Sequence, residues 1–231
     1  MDAIILCGGY GTRLKSISKG TPKPLVEING VIFLKYIIKD LFKKNIKKIY
    51  LATSYKSHLF QKIFLKYKNI HIVKEKKKIG TGGAIINCLK KKKISKEVIV
   101  LNGDSYNVYS YKKFLNFHKK KKSNFSILIK TKENSLDTGN IITDKNSQII
   151  KFAEKKKIKK KHFFNAGVYL IKRNFFLKNF NKIRYYSLEK DLIPNLIQNS
   201  KIFAYKSKGE FIDIGTPKNF FLSKKIVKWK N

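Results

Sequence analysis

Short apolar runs alternate with helical patterns through the first 104 residues, and this alternation limits the possible folds more than any other feature. Ala3–Leu6, Lys47–Thr53 and Ile70–Val73 are short and rich in β-branched or apolar residues, which is typical of buried strands. Between them, apolar residues from Phe33 onward recur at the three- and four-residue spacing of a helix. The pattern predicts a doubly wound α/β fold, with parallel strands, right-handed crossovers and helices on both faces of the sheet.

The second half of the chain has a different pattern, although no repeat or Ser/Gly/Pro-rich linker separates it from the first. Strand-like stretches with polar turns follow His118, and the helical pattern Ser187–Asn199 begins with a plausible N-terminal capping serine. We therefore expect one domain over residues 1–231, Rossmann-like with a mixed sheet. Its N-terminal half is expected to bind a nucleotide.

Lysine dominates the composition. The chain carries 53 Lys+Arg against 14 Asp+Glu, a net charge of +39, which is typical of nucleic-acid-binding proteins. However, three of these basic residues are arginine, the usual base-reading residue, and the lysines are spread along the whole chain. We interpret the lysines as solvated surface charge and expect no specific nucleic-acid partner. A basic nucleic-acid-binding module remains the alternative from another functional class.

The remaining composition favours a cytoplasmic location. No apolar run reaches the roughly 18–20 residues that a membrane span needs, and Ala3–Cys7 is too short for a signal-peptide core. Cys7 and Cys88 have neither metal-binding nor redox-motif spacing, so we expect two buried, reduced thiols. The sequence thus predicts a cytoplasmic protein without membrane insertion.

A glycine-rich segment, ILCGGYGTRL (Ile5–Leu14), follows the first predicted strand. The backbone N–H groups of such a loop can surround an anion, and an arginine fork suits phosphate oxygens. The common phosphate loops do not fit, because no GK[ST] follows and Leu14 stands where the dinucleotide fingerprint needs a third glycine. The segment is either a phosphate-binding loop of another type or a simple tight turn.

The longer segment LCGGYGTRLKSISKGTPKPLVEING resembles the signature of the sugar-phosphate nucleotidyltransferases. Further blocks follow in family order over nearly the whole chain: IGTGGAI, LNGD, FAEK, NAGVYL and FIDIGTP. The resemblance implies a glycosyltransferase-A-like fold whose C-terminal half binds a sugar phosphate. It also implies an enzyme whose partners are a nucleoside triphosphate and a sugar 1-phosphate, which it joins with release of pyrophosphate. A homodimer is compatible with it.

Within that family, GTRLKS, IGTGGAI and SLEKDLIP are most similar to the members that use GTP and D-glycero-D-manno-heptose 1-phosphate. The implied product would supply the synthesis of cell-surface polysaccharide. Uridylyl or thymidylyl transfer to another sugar 1-phosphate is the alternative within the family. A homologue that only senses nucleotide is a second alternative, which the retained charged residues below oppose.

The chemistry of this reaction suits the charged residues of the motifs. A phosphate monoester is largely ionised at pH 7 because its second pKa is about 6, so the nucleophile needs no general base. The obstacle is repulsion between two anions, which calls for neutralisation and in-line alignment. The resemblance assigns Arg13 to the leaving pyrophosphate and Lys23 to the phosphates at the reaction centre. It assigns Asp104 and Asp213 to Mg²⁺, which prefers hard oxygen ligands, and counts Asp104 as catalytic; read alone, each aspartate is a turn former at a strand end.

The remaining residues implied by the resemblance bind the two substrates. Those expected around the nucleotide are Leu6, Gly8, Gly9, Gly11, Thr12, Glu75, Gly80 and Thr81. Those expected around the sugar phosphate are Gly139, Glu154, Lys155, Asn165 and Gly167, although Lys155 also begins a lysine run typical of solvated charge. Glu75 stands where the family reads the base, and a carboxylate can accept hydrogen bonds from guanine N1–H and N2–H₂. This position favours GTP.

Overall fold

The computed structural model describes residues 1–91, 94–132, 140–153 and 162–228. The strands in these ranges are, in chain order, β1 (Asp2–Leu6), β2 (Glu27–Ile28), β3 (Val31–Ile32), β4 (Ile49–Thr53), β5 (Ile70–Lys74), β6 (Glu97–Asn102), β7 (Ser105–Asn107), β8 (Phe125–Lys132), β9 (Asn140–Thr143), β10 (Ile149–Ala153), β11 (His162–Lys172), β12 (Phe203–Lys206) and β13 (Phe211–Asp213). The α-helices are α1 (Lys15–Ser18), α2 (Phe33–Lys43), α3 (Ser57–Phe64), α4 (Gly80–Leu89), α5 (Tyr111–Lys120), α6 (Arg173–Asn179), α7 (Ile193–Asn199) and α8 (Pro217–Ile226). Short 3₁₀ turns cover Thr12–Leu14 and Lys23–Leu25, and a π-helical turn covers Leu188–Leu192.

In the described part of the chain the main sheet has nine strands, with β10, β9, β11, β6, β1, β4 and β5 in spatial order and β8 pairing with both β11 and β12. Strands β6, β1, β4 and β5 are parallel, as the strand–helix alternation predicts. Strand β11 joins β6 in the antiparallel direction and brings the second half of the chain into the same sheet. Two small ribbons, β2 with β3 and β7 with β13, lie outside this sheet.

Helices cover both faces of the sheet, and the alternation of side chains along β1 shows why. Ala3 and Ile5 pack in a core with the apolar residues of α2, α3, α5 and α8, whereas Ile4 points into a second core with α4, α6 and α7. A strand buried on both faces needs an almost continuous apolar run, which is what the sequence shows. The predicted doubly wound mixed sheet is therefore confirmed.

Two helix starts differ from the simplest reading of the sequence. The segment GGAIINCLKK predicts a helix from Gly82. Helix α4 begins two residues earlier, at Gly80, because the Gly82 N–H donates to the Tyr186 carbonyl (2.8 Å) and this contact offsets the poor helix propensity of the glycines. Ser187 accepts from the Lys190 N–H (3.1 Å), as predicted for a capping serine, but the next five residues form a π-helical turn before α7. Pro194 lies at the start of α7 and cannot donate a backbone hydrogen bond, which favours that wider turn.

Both cysteines are free and buried, as predicted, and burial raises the pKa of each thiol. Among the described residues, no helix combines the length and the apolar character that crossing a bilayer requires.

Candidate active site

The carboxyl ends of β1, β4 and β6 meet at one edge of the sheet, where open α/β folds bind ligands. The glycine-rich loop leaves β1 at this edge, and the Gly103 N–H donates to the Leu6 carbonyl (3.0 Å), which holds the exits of β1 and β6 together. A cleft of about 580 Å³ opens above them. It therefore lies at the position expected for a nucleotide.

All residues predicted to act in catalysis or to contact the nucleotide line this cleft. They are Leu6, Gly8, Gly9, Gly11, Thr12, Arg13, Lys23, Glu75, Gly80, Thr81 and Asp104. Because these residues come from segments up to 98 positions apart, only the fold brings them together. The sequence reasoning missed other lining residues, including Tyr10, Lys78, Tyr185, Ser187 and Glu189.

One end of the cleft concentrates opposite charges. Lys23 Nζ lies 3.3 Å from Asp104 Oδ2, with both side chains partly buried. A Cβ atom built on Gly215 would lie 2.7 Å from Asp213 Oδ1, 3.4 Å from Arg13 Nη2 and 3.5 Å from Lys23 Nζ. The absence of a side chain at Gly215 thus allows one carboxylate, one guanidinium and one ammonium to lie close together. A guanidinium and an ammonium suit phosphate oxygens, and a carboxylate suits a cation bound to them.

The ribbon of β7 and β13 brings the two aspartates to this end. Asp213 pairs with Ser105 in the ribbon, and the Ile214 N–H donates to the carbonyl of Asp104 (2.9 Å). Asp213 Oδ1 accepts from the Gly215 N–H (2.9 Å), and Oδ2 accepts from Asn219 Nδ2 (3.3 Å). These contacts orient the Asp213 carboxylate before any ligand binds.

The donor set fits a substrate-bound Mg²⁺. Within the described residues, no group of three or more His, Cys, Asp or Glu side chains could hold a metal alone. Two aspartates close to Arg13 and Lys23 match the way Mg²⁺ is bound, by one or two carboxylates together with substrate phosphates. Asp104 and Asp213 would be the protein ligands of such an ion.

The other end of the cleft contains a buried carboxylate. Glu75 follows β5 directly, is 8% exposed, and its N–H donates to the Thr53 carbonyl (2.8 Å). Burial raises the pKa of Glu75, and a hydrogen bond from the Ile79 N–H opposes this shift without cancelling it. Gly8 faces the carboxylate so closely that a Cβ there would lie 3.1 Å from Oε1. The glycine therefore leaves the carboxylate accessible from the phosphate loop.

The segment before the π-helical turn forms a wall of the cleft by packing on the start of α4. Gly80 has a φ of +70°, and a Cβ on it would overlap the Tyr186 carbonyl. A Cβ on Gly82 would lie 2.5 Å from Leu192 Cδ1. The glycines of IGTGGAI thus permit close packing of two segments, in addition to any contact with nucleotide.

A chain of hydrogen bonds links the predicted sugar residues to the predicted nucleotide residues. Asn165 Nδ2 donates to the Tyr169 hydroxyl (2.7 Å), which donates to Glu189 Oε1 (3.2 Å). Glu189 Oε2 accepts from Thr81 Oγ1 (3.2 Å), and Asn165 Oδ1 accepts from the Gly167 N–H (2.9 Å). Glu189 was missed because an acid just after a capping serine is normal for a helix start. Its place in SLEKDLIP was the available signal.

Three predicted sugar-phosphate residues, Gly139, Glu154 and Lys155, lie outside the described residues. Asn165 and Gly167 are described, and they lie on β11 beside the exit of β6. A Cβ on Gly167 would be 2.6 Å from Asn102 Nδ2, and Asn102 lines the cleft. The structure therefore places these two residues next to the cleft, and their roles stay predictions.

Comparison with known proteins agrees with this geometry. The family model described as nucleotidyl transferase matches residues 2–228. The chain belongs to the nucleotidyl transferase family. This membership confirms the resemblance on which the site residues were predicted. It also confirms that the protein is an enzyme of the nucleotidyl-transfer class.

Individual relatives of this nucleotidyl transferase cover nearly its full length. The D-glycero-alpha-D-manno-heptose 1-phosphate guanylyltransferase of Campylobacter jejuni is 37% identical over 225 residues, which span 96% of this chain and 97% of the relative. The enzyme of the same name from Aneurinibacillus thermoaerophilus is 31% identical over 223 residues, 95% of each chain. The crystal structure of HddC from Yersinia pseudotuberculosis superposes with a TM-score of 0.86 at 29% identity, covering 98% of this chain and 99% of HddC. HddC has also been crystallised with GMP-PN, with the same TM-score and coverage.

Proposed function

We propose that this nucleotidyl transferase moves the guanylyl group of GTP to D-glycero-D-manno-heptose 1-phosphate and releases pyrophosphate. The observation that carries the proposal is the distribution of charged side chains along the cleft. Arg13, Lys23, Asp104 and Asp213 converge at one end, and the buried carboxylate of Glu75 lies along the same cleft. The two relatives named for this reaction, with almost complete mutual coverage, support the choice of sugar.

Glu75 supports the choice of base. An ionised carboxylate offers only acceptors, which match the N1–H and N2–H₂ donors of guanine and oppose the carbonyl oxygens of uracil or thymine. Because Glu75 is 8% exposed, a mismatched base would leave its charge without a partner in a partly dry site. The HddC crystals with GMP-PN show that a protein with this fold binds a guanine nucleotide.

The reaction follows from charge neutralisation. An oxygen of the sugar 1-phosphate attacks the α-phosphorus of GTP, and the bond to the bridging oxygen of pyrophosphate breaks. Arg13 would hold the leaving pyrophosphate through its planar fork, and Lys23 would neutralise charge at the transferring phosphorus. The Lys23 ammonium lies 3.3 Å from the Asp104 carboxylate, and this ion pair holds the lysine at this end of the cleft.

Mg²⁺ is part of the proposal. Asp104 and Asp213 would hold it, and the bound ion would supply neutralisation of the triphosphate charge. Asn165 and Gly167, with Glu154 and Lys155, would bind the sugar phosphate. The cytoplasm, where GTP is abundant, is the compartment that fits these substrates.

A substrate matrix tests the proposal. GTP, ATP, UTP, CTP and dTTP are each combined with heptose, mannose, glucose and N-acetylglucosamine 1-phosphates, and pyrophosphate release is measured with and without Mg²⁺. We expect the highest kcat/KM for GTP with D-glycero-D-manno-heptose 1-phosphate. Equal or better turnover with UTP would refute the guanine assignment. No turnover in any well, from a folded preparation, would favour a homologue that only senses nucleotide.

A further inference from the structure

Lys130 differs from the other lysines whose side chains the structure describes, because it alone is buried, at 4% exposure. It lies on β8, inside the main sheet between β11 and β12. Its ammonium donates to three backbone carbonyls, those of Val108, Gly209 and Glu210, each at 2.9 Å. An ammonium has three protons, so these bonds satisfy all its donors.

These three carbonyls belong to the far end of the ribbon formed by β7 and β13. Val108 follows β7, and Gly209 and Glu210 precede β13. Each strand of this ribbon has three residues, and a two-stranded ribbon of that size is marginally stable on its own. Lys130 therefore attaches the far end of this marginally stable ribbon to the main sheet. Asn107, the last residue of β7, adds an attachment at the same end, through Nδ2 to the Ala166 carbonyl (2.9 Å).

The near end of the same ribbon carries the acids of the cleft. Asp104 directly precedes β7, and Asp213 is the last residue of β13, paired with Ser105. A shift of β13 along β7 would move one carboxylate relative to the other. The spacing of two metal ligands has to be correct within a few tenths of an ångström.

We propose that Lys130 is a positioning residue: by holding three carbonyls at the far end of the ribbon, it fixes the register that places Asp104 and Asp213 for metal binding. This inference rests on the proposed function of the two aspartates. It gives one lysine, among a large surface excess, a defined role distant from the substrates. Burial lowers the pKa of Lys130 to about 8, with the Glu210 carboxylate opposing the shift, so the ammonium form predominates at pH 7.

The test measures metal binding directly, without turnover. Mn²⁺ replaces Mg²⁺ so that free and bound ion can be counted by electron paramagnetic resonance, in the presence of the α,β-methylene analogue of GTP. The Lys130→Met side chain has a similar length and no donors. We expect it to weaken Mn²⁺ binding about tenfold or more, as loss of outer supports of metal ligands commonly does. Binding of the analogue without metal should change little.

Lys206→Met is the matched control. Lys206 lies on β12, next to β8, is exposed, and its ammonium stacks over the Phe163 ring (4.3 Å). The variant removes the same charge from a neighbouring strand without touching the ribbon. Its Mn²⁺ affinity should equal that of the wild type.

Gly209→Ala keeps the test decisive if Lys130→Met does not fold. Gly209 has a φ of +106°, and a Cβ there would lie 2.6 Å from the Val108 carbonyl that Lys130 holds, so the variant disturbs the same contact. We expect it to lower Mn²⁺ affinity also. Folded Lys130→Met or Gly209→Ala with wild-type Mn²⁺ affinity would overturn the inference, provided that Asp213→Asn is impaired in the same assay. If Asp213→Asn also binds Mn²⁺ normally, the proposed metal pair is itself wrong and the inference falls with it.

Discussion

The two ends of the cleft are built in different ways. The nucleotide end consists of short contiguous segments, the loop after β1 and the start of α4, and the glycines in each segment allow neighbouring parts of the chain to pack closely on it. The acidic end combines Lys23, Asp104 and Asp213, which are far apart in sequence and meet through a small ribbon. The first end depends on local backbone shape, whereas the second depends on supports elsewhere in the sheet.

The two ends also differ in electrostatics. Asp104 has a lysine partner at 3.3 Å, so its charge is offset before substrate binds. Glu75 receives a backbone hydrogen bond from Ile79 but is buried, and burial raises its pKa. Removing charge should therefore have opposite consequences for stability at the two ends. Substitutions can separate the two arrangements.

The largest effect should come from the acidic end. Asp104→Asn and Asp213→Asn should each lower turnover by about a hundredfold or more, because metal neutralisation supplies several kcal/mol at the transferring phosphorus. Pyrophosphate release measured over a Mg²⁺ titration would detect both effects. Asp144→Asn, in the turn between β9 and β10, is a matched control and should keep full turnover. Full activity of Asp213→Asn with unchanged Mg²⁺ dependence would return Asp213 to a purely structural strand end.

A smaller effect is expected at Arg13, which lies beside Lys23 and Asp213 at the acidic end. Arg13→Lys keeps the charge but loses the planar fork, so turnover should fall about tenfold or more while GTP affinity changes less. Arg173→Lys is the control: Arg173 Nε donates to the Leu89 carbonyl (2.7 Å), away from the cleft, and its loss should affect thermal stability only. Steady-state kcat and KM of both variants would separate these roles. Equal turnover of Arg13→Lys and wild type would show that charge alone suffices at this position.

The contrast between the ends explains what the sequence could reveal. The strand–loop pattern around Ile5–Leu14 and the alternation of strands and helices are local signals, and both predicted the structure correctly. The antiparallel pairing of β11 with β6 could not be predicted, because the local sequence of β11 indicates a strand but not its direction in the sheet. Lys130 could not be recognised among so many lysines, because its role depends on three carbonyls from distant segments. Glu189 was missed because an acid after a capping serine is ordinary at a helix start, and its partners Tyr169 and Thr81 come from two other elements.

The base end can be tested by removing its buried charge. Glu75→Gln keeps an oxygen for the Ile79 N–H but presents an amide donor to guanine, so the preference for GTP over UTP should fall about tenfold. A ratio of kcat/KM values for the two nucleotides measures this preference. Glu27→Gln, at an exposed position of β2, is the control and should leave the ratio unchanged. An unchanged ratio in Glu75→Gln would assign base selection to backbone groups.

Glu75→Gln should also change the thermal stability, by an amount that depends on pH. Because the pKa of Glu75 is raised in the folded state, folding favours its protonated form. That contribution is complete below the ordinary carboxyl pKa and is lost as pH rises through the raised value. Glu75→Gln should therefore have a higher Tm than wild type at pH 7, and the difference should vanish in acid. A lower Tm at pH 7 would mean that the ionised carboxylate has stabilising partners.

The smallest effect should come from the hydrogen-bond chain that joins the two substrate sides. Tyr169→Phe removes the hydroxyl that contacts Asn165 and Glu189, and losing one such buried link costs about 1–2 kcal/mol of stability. Tyr36→Phe removes a comparable buried hydroxyl, which lies on α2 and donates to the Ile28 carbonyl (2.7 Å). The Tm should fall by a similar amount in both variants. Tyr169→Phe alone should also raise the KM for the sugar 1-phosphate, about three- to tenfold, because the Asn165 amide loses its orientation. If both variants kept wild-type KM values, the chain would only support packing, and the two ends of the cleft would be positioned independently.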